Sequence, residues 1–312
     1  MPGIKDEQYK CSLSPATLEK ARRELSEDPD TRLLEVKNLR KRLEKVPGLR
    51  ARTDIQFLLA FLRARKFDQE RTFALIKNHY QTRKDTERFC DLKPSVVKHI
   101  VDEGHIEVLP DRNKEGCRVV VIRVGSYEPD RYPIMDAMRA MYLTLMDISK
   151  DEETQVHGVQ FIIDFANTVW KHYTAFTPSV AKICFSIIQD VVPLRMRRLD
   201  YVHEPSFFDT FFAVIKPIMN TKMVSRLHLH GNKVEGLHDA IPPHQLPTDI
   251  GGKQPPNNDK ERVENFLSSD SLFEEDNKYG YVNMALNSEQ TTSRSGDAGI
   301  EGLGGTFRKL DI

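Results

Sequence analysis

No excess of either charge marks this chain: 46 Lys and Arg face 46 Asp and Glu over 312 residues. That balance argues against a dedicated nucleic-acid binder, whose domain usually carries a basic excess. Long apolar runs are also missing. The longest, Phe57 to Leu62, falls far short of the ~20 residues that a bilayer-spanning helix needs. Nor does Met1 lead into the apolar stretch of a secretion signal. The four cysteines, Cys11, Cys90, Cys117 and Cys184, are scattered without the close spacing of a zinc site, and read as reduced thiols of a cytoplasmic protein. Catalytic motifs are scarce too. There is no GxSxG elbow, no Walker loop and no dinucleotide fingerprint after a strand. The Gly302–Thr306 stretch lacks a lysine and a preceding strand, which leaves it linker-like.

Two residue groups keep other chemistry open. His228 and His230 share one side of a strand and could ligate a metal or simply pack; a third ligand is not evident. Asp164 ends an apolar strand, as a catalytic carboxylate or as a cap for nearby amides. Neither builds a catalytic constellation, so the chain reads as a non-enzyme with no metal and no cofactor.

What is present is organised in three stretches. Residues 1–12 look like a frayed leader, after which Ser14-Pro15 offers a cap and a first helical position. Apolar spacing predicts two helices broken at Pro29. A capping box at Thr53-Asp54-Ile55-Gln56 opens another, and Asp68 caps a fourth. The period changes after residue 95. Strands are predicted at 118–124, 158–165, 199–203 and 226–230, with helices at 136–148, 178–191 and 205–219 between them. Strands alternating with helices imply an α/β fold with a mainly parallel sheet. From 253 onward apolar periodicity is thin, and a mostly disordered acidic tail is expected.

The segment 205–219 (PSFFDTFFAVIKPIM) is apolar around most of its circumference. Such a helix is buried on all sides or touches something other than water. A core helix and a movable cover over an apolar cavity both fit, and Pro217 could mark a hinge. Basic residues bracket it: from Val191 to Lys233 there are seven Lys or Arg against three acids. Residues 259–312 carry 6 basic and 11 acidic side chains, leaving 40 basic and 35 acidic in residues 1–258. The zero net charge therefore conceals a basic body, suited to an anionic membrane, where each cation near the surface contributes about 1 kcal/mol.

Seven ordered motifs across residues 14–252 resemble the CRAL-TRIO family of lipid-transfer proteins. They are DIQFLLAFLRARKFD (54–68), ETQVHGVQFIIDF (153–165), FTPSVAK (176–182), VVPLRMRRLDYVHEP (191–205), IKP (215–217), RLHLHGN (226–232) and LPTDIGG (246–252). The resemblance implies an N-terminal helical domain (1–94), a lipid-binding domain (95–252) whose sheet forms a pocket floor, and the tail (253–312). It makes 205–219 the gate, with lid residues Phe207, Phe208, Phe211, Phe212, Val214 and Ile215. Motif by motif, it places a phosphoinositide headgroup on Arg65, Arg195, Arg197, Lys222 and Arg226. The pocket lining it implies is Met138, Met141, Tyr142, Leu145, Val159, Ile163, Cys184, Ile187, Ile188, Val192, Leu194 and Met196. Met141 and Leu145 stand where tocopherol-carrying members have serines, so polar contacts to a chromanol-type ligand are expected to be missing. The implied function is intracellular transfer of a hydrophobic small molecule, tocopherol-like, retinoid-like or another lipid. Its implied partners are phosphatidylinositol phosphates and a membrane surface bound peripherally and reversibly, without nucleic acid, in the cytoplasm and at endosomal or other phosphoinositide-rich membranes. The alternatives are a phosphoinositide-binding trafficking adaptor and, less in keeping with the sequence, a hydrolase using Asp164 or His230.

Overall fold

Ser14 starts the first helix: its side chain accepts the Thr17 amide and Pro15 fills the first turn, so α1 spans Pro15–Leu25. Past Pro29 comes α2 (Arg32–Leu43), then a two-residue strand β1 (Leu49–Arg50) and α3 (Ile55–Ala64). The cap of α3 is Asp54, not the expected Thr53. Its carboxylate accepts the Phe57 amide at 3.1 Å while Arg52 holds it from the side at 2.5 Å. Asp68 accepts the Arg71 amide and opens α4 (Gln69–Asp85). Every residue of α3 except Gln56 is buried, which makes α3 the centre of this helical layer. In the computed structural model, residues 8–85, 89 and 92–282 are described; Cys90, residues 1–7 and residues 283–312 lie outside them.

The leader is not frayed where it is described. Ser12 donates its amide to Glu152 at 2.7 Å, and the Tyr9 hydroxyl donates to the same carboxylate.

After α5 (Lys98–Asp102) come β2 (Ile106–Arg112), β3 (Arg118–Arg123), α6 (Ile134–Ile148), α7 (Glu152–His157) and β4 (Val159–Asp164). Then follow α8 (Trp170–Ala175), α9 (Pro178–Ser186), a π-helical turn (Ile187–Val191) and β5 (Met196–Val202). α10 (Phe208–Ile215) runs into a 3₁₀ turn (Lys216–Ile218), then α11 (Thr221–Val224) and β6 (Leu227–Leu229). The sheet order is β2-β3-β4-β5-β6, parallel throughout except for the antiparallel β2–β3 pair. Thus the fold is α/β with a mainly parallel sheet. β2 escaped the strand prediction because Pro110, Asp111 and Arg112 break its pattern; it is an edge strand, where proline is tolerated.

The pleat assigns the two faces. Val120, Phe161, Leu199 and Tyr201 join the core under α6, α9 and α10, while Val119, Val121, Ile162 and Val202 face a second core closed by Leu237, Ile241, Leu246 and Ile250. Gly158 enters β4 at φ +87°, and a Cβ there would run into the Arg195 carbonyl oxygen. That position requires glycine.

The tail expectation fails up to residue 282. α12 (Lys260–Leu267) and α13 (Asp270–Asn277) are helices, and β7 (Gly280–Tyr281) pairs with β1. Asp259 caps α12 by accepting the Arg262 amide, and two phenylalanines, Phe266 and Phe273, supply the buried contacts. Residues up to Tyr281 belong to one unit.

Candidate functional site

Beneath α10 the sheet encloses an almost wholly apolar cavity of about 130 Å³. Six of the expected lining residues reach it: Met138 and Met141 from α6, Ile163 from β4, Cys184 from α9, Ile188 from the π turn and Met196 from β5. Tyr142, Leu145, Val159, Ile187 and Val192 do not; they are buried in the surrounding core. Tyr142 follows Met141 by one residue, so the helix turns it away, and its ring packs on His79 and Phe89 instead. Leu194 lines a neighbouring cleft. Burial pushes the Cys184 thiol up to about 12, which keeps it a neutral wall atom.

α10 has distinct faces, despite its apolar composition. Phe211, Phe212 and Ile215 line the cavity, and Phe208 is buried against Phe165 and Tyr201. Phe207 packs on Trp170 and Tyr173. Val214 points outward at 56 % exposure. The helix proper is only eight residues long, because Pro217 cannot continue it. Next to Phe207, Val169 and the chain's one tryptophan, Trp170, are exposed at 56 % and 64 %.

All five candidate headgroup residues converge on a single cleft of about 350 Å³ between the helical layer and the start of β5. The sequence motifs had scattered them over more than 160 positions. Arg65 extends from the end of α3 and donates to the Gln189 carbonyl at 2.5 Å, with Asp190 at 3.7 Å. Arg195 and Arg226 donate to the Val156 and Met196 carbonyls, and Arg197 lies 3.5 Å from Glu24. Lys66, Arg71 and Lys222 make no ion pair among the described residues. Burial and the crowding of like charges lower the pKa values of Arg65, Arg195, Lys222 and Arg226. Desolvation followed by Arg197 brings Arg195 to about 10, and desolvation followed by Arg226, Lys66 and Arg71 lowers Lys222. Seven cations with one acidic lining residue form a site short of anions. Three residues, Ile188, Met196 and Met223, line both the cleft and the apolar cavity.

Comparison with known proteins bears on this pair of cavities. The family model for the CRAL/TRIO domain matches residues 102–252. The human protein named alpha-tocopherol transfer protein-like is 40 % identical over 246 residues, covering 78 % of this chain and 72 % of its own. The chain belongs to the CRAL-TRIO family. Clavesin-1 of Xenopus laevis is 34 % identical over 251 residues, covering 79 % of this chain and 75 % of its own. Clavesin-2 of Rattus norvegicus is 34 % identical over 250 residues, with coverages of 79 % and 76 %. CRAL-TRIO proteins bind and transfer lipids, and α10 with the cavity beneath it lies within the matched region. Among the described residues, no helix is long and apolar enough to cross a membrane.

Several CRAL-TRIO site residues went unread in the sequence. Lys66 and Arg71 join the cleft: one follows Arg65 directly, and the other sits on the first turn of α4. Tyr201, His105 and His172 join the apolar cavity. Alternation along β5 places Tyr201 on the face of Leu199, a signal available from the sequence. Two of the residues singled out earlier for other chemistry, His230 and Asp164, have local duties. His230 bonds Asp200 at 2.8 Å, and Asp164 accepts from the Ala166 amide at 2.9 Å while meeting His203 at 2.7 Å.

Proposed function

We propose that the chain carries a hydrophobic small molecule in the apolar cavity and exchanges it at membranes containing phosphoinositides. One observation carries the reading: a cation-rich cleft and an apolar cavity share Ile188, Met196 and Met223 as a common wall. Apolar burial holds the ligand, at about 25 cal/mol per Å² of surface removed from water. The cleft takes a phosphorylated headgroup, with arginines suited to clamp phosphate oxygens in pairs. The exposed apolar side chains Trp170, Val169 and Val214 enter the interface, so binding is peripheral and reversible.

Movement of the shared wall couples the two events. A headgroup that favours an outward α10 loosens the ligand by the same factor by which bound ligand weakens the headgroup. The names of the relatives support a tocopherol-like cargo, with retinoid-like and other lipids in the same size class. Phosphoinositide-rich membranes such as endosomal ones would be the sites of exchange.

The test is transfer between phosphatidylcholine vesicles, with and without phosphatidylinositol bisphosphate in the acceptor. Arg197→Ala combined with Lys222→Ala removes two cations, each worth about 1 kcal/mol at an anionic surface. We expect phosphoinositide-stimulated transfer to fall by more than tenfold while ligand capacity stays intact. Unchanged stimulation would remove the cleft from the mechanism.

A further inference from the structure

The apolar cavity contains one hydroxyl with no bonding partner among the described residues. The Cys184 thiol is only a weak donor, and the remaining tyrosines and histidines are already engaged. Tyr127 donates to the Tyr132 carbonyl at 2.5 Å, and Tyr173 shares a bond with Thr168 at 2.8 Å. His172 accepts the Val169 amide at 2.9 Å and donates to the Tyr127 carbonyl at 2.8 Å. His105 donates from Nδ1 to the Arg123 carbonyl at 2.8 Å, which leaves Nε2 as an acceptor only.

Tyr201 differs. Ile106, Ile122, Ile163 and Tyr201 form one continuous row across β2, β3, β4 and β5, and Tyr201 is its single polar member. Its side chain is 8 % exposed and lines the cavity, with the rings of Phe165, Phe208 and Phe212 centred 5.3, 5.7 and 6.3 Å from its own. Among the described residues no group bonds its hydroxyl. A hydroxyl without a partner on the wall of an apolar cavity calls for a reason.

We infer that Tyr201 is the polar anchor of the cavity, donating a hydrogen bond to the single oxygen of an otherwise hydrocarbon ligand. This rests on the carrier reading above and narrows its cargo to neutral alcohols, aldehydes and ketones. A carboxylate does not fit. No Lys or Arg lines the cavity, and burial holds His105 neutral by lowering its pKa to about 4. An ionised headgroup inside would have no counter-charge.

The experiment equilibrates the full chain and Tyr201→Phe with phosphatidylcholine vesicles carrying radiolabelled phytol, its hydrocarbon counterpart phytane, or phytanic acid. Retained label is counted after the vesicles are removed. The substitution keeps the ring packed, so phytane serves as the control for an intact cavity. We expect Tyr201→Phe to weaken phytol retention about tenfold, to leave phytane within about twofold, and phytanic acid to be the poorest ligand of both proteins. Equal phytol retention by the two proteins, with phytane bound, overturns the anchor and leaves the carrier reading standing. An equal loss of phytol and phytane assigns Tyr201 to packing and overturns it as well. Preference for the acid overturns the neutral class, and a wild-type chain that retains none of the three probes overturns the carrier reading itself.

Discussion

Arg63 offers the sharpest test of how the helical layer is attached. It is wholly buried on α3, two residues before Arg65. Its Nε and Nη2 donate to the two oxygens of Glu27 at 2.8 Å each, and Nη1 reaches Glu152 at 3.0 Å and Gln155 at 2.7 Å. Glu27 is 1 % exposed and has one other cation, Arg32, at 2.7 Å. These partners raise the guanidinium pKa against the desolvation that lowers it. In Arg63→Met, Glu27 keeps only Arg32, and Gln155 loses its donor.

Removing one member of a buried pair costs about 3–5 kcal/mol. Because Arg32 remains and Glu152 keeps Ser12, the lower end applies, about 3 kcal/mol in urea denaturation at pH 7. One corollary makes the reasoning refutable: adding Glu27→Gln should recover about half of the loss. A loss below about 1 kcal/mol, or a double variant no more stable than the single one, refutes the account. Since Arg63 fixes the end of α3, headgroup binding at Arg65 should weaken in parallel.

Acid should also unfold the protein through two buried histidines. Desolvation lowers His79 to about 3 and His105 to about 4, so both stay neutral when folded. Their stability is intact above the ordinary pKa of about 6.5 and erodes as pH falls toward the folded values, by about 2 kcal/mol each at pH 5. Urea midpoints at pH 7 and pH 5 measure this, and His79→Phe should remove the share of His79; a wild-type midpoint indifferent to pH contradicts it. Val214→Asp places a charge on the outer face of α10, where the side chain is 56 % exposed. Melting temperature should hold while binding to phosphoinositide vesicles drops about tenfold, and equal binding would take Val214 out of the membrane contact.

The sequence carried the fold wherever local chemistry and periodicity agreed. Ser14-Pro15 starts a helix because a hydroxyl and a ring satisfy the same end. The apolar runs at 118–124 and 158–165 become central strands because both faces of the sheet are covered. Agreement failed where tertiary contact supplied what local pattern lacked. β2 carries a proline that only an edge position tolerates. α12 and α13 depend on Phe266 and Phe273, two anchors too sparse to show as a stripe. For the cleft, motif matching gathered five cations that no spacing rule connects, since Arg65 and Arg195 come together only where α4 packs on the π turn and Arg65 reaches the Gln189 carbonyl. Lys66 and Arg71 escaped because a surface lysine and a first-turn arginine look like any solvated pair. The inward and outward faces of α10 were illegible for a different reason: over 205–219 apolar side chains stand on nearly every side, so the stripe that faces the cavity does not stand out from its neighbours.

The pairing of β1 with β7 sets a schedule for synthesis. Leu49 meets Tyr281 across about 230 residues of chain, and Tyr279 and Tyr281 pack against the core that holds Phe57, Phe61 and Tyr80. At 5–20 residues per second, a ribosome takes about 10–50 s to deliver the second strand after the first has emerged. During that interval the helical layer waits with one wall open. A nascent chain halted before residue 280 should therefore hold chaperone on its first eighty residues, and release it only when the last turn of α13 and β7 close the gap.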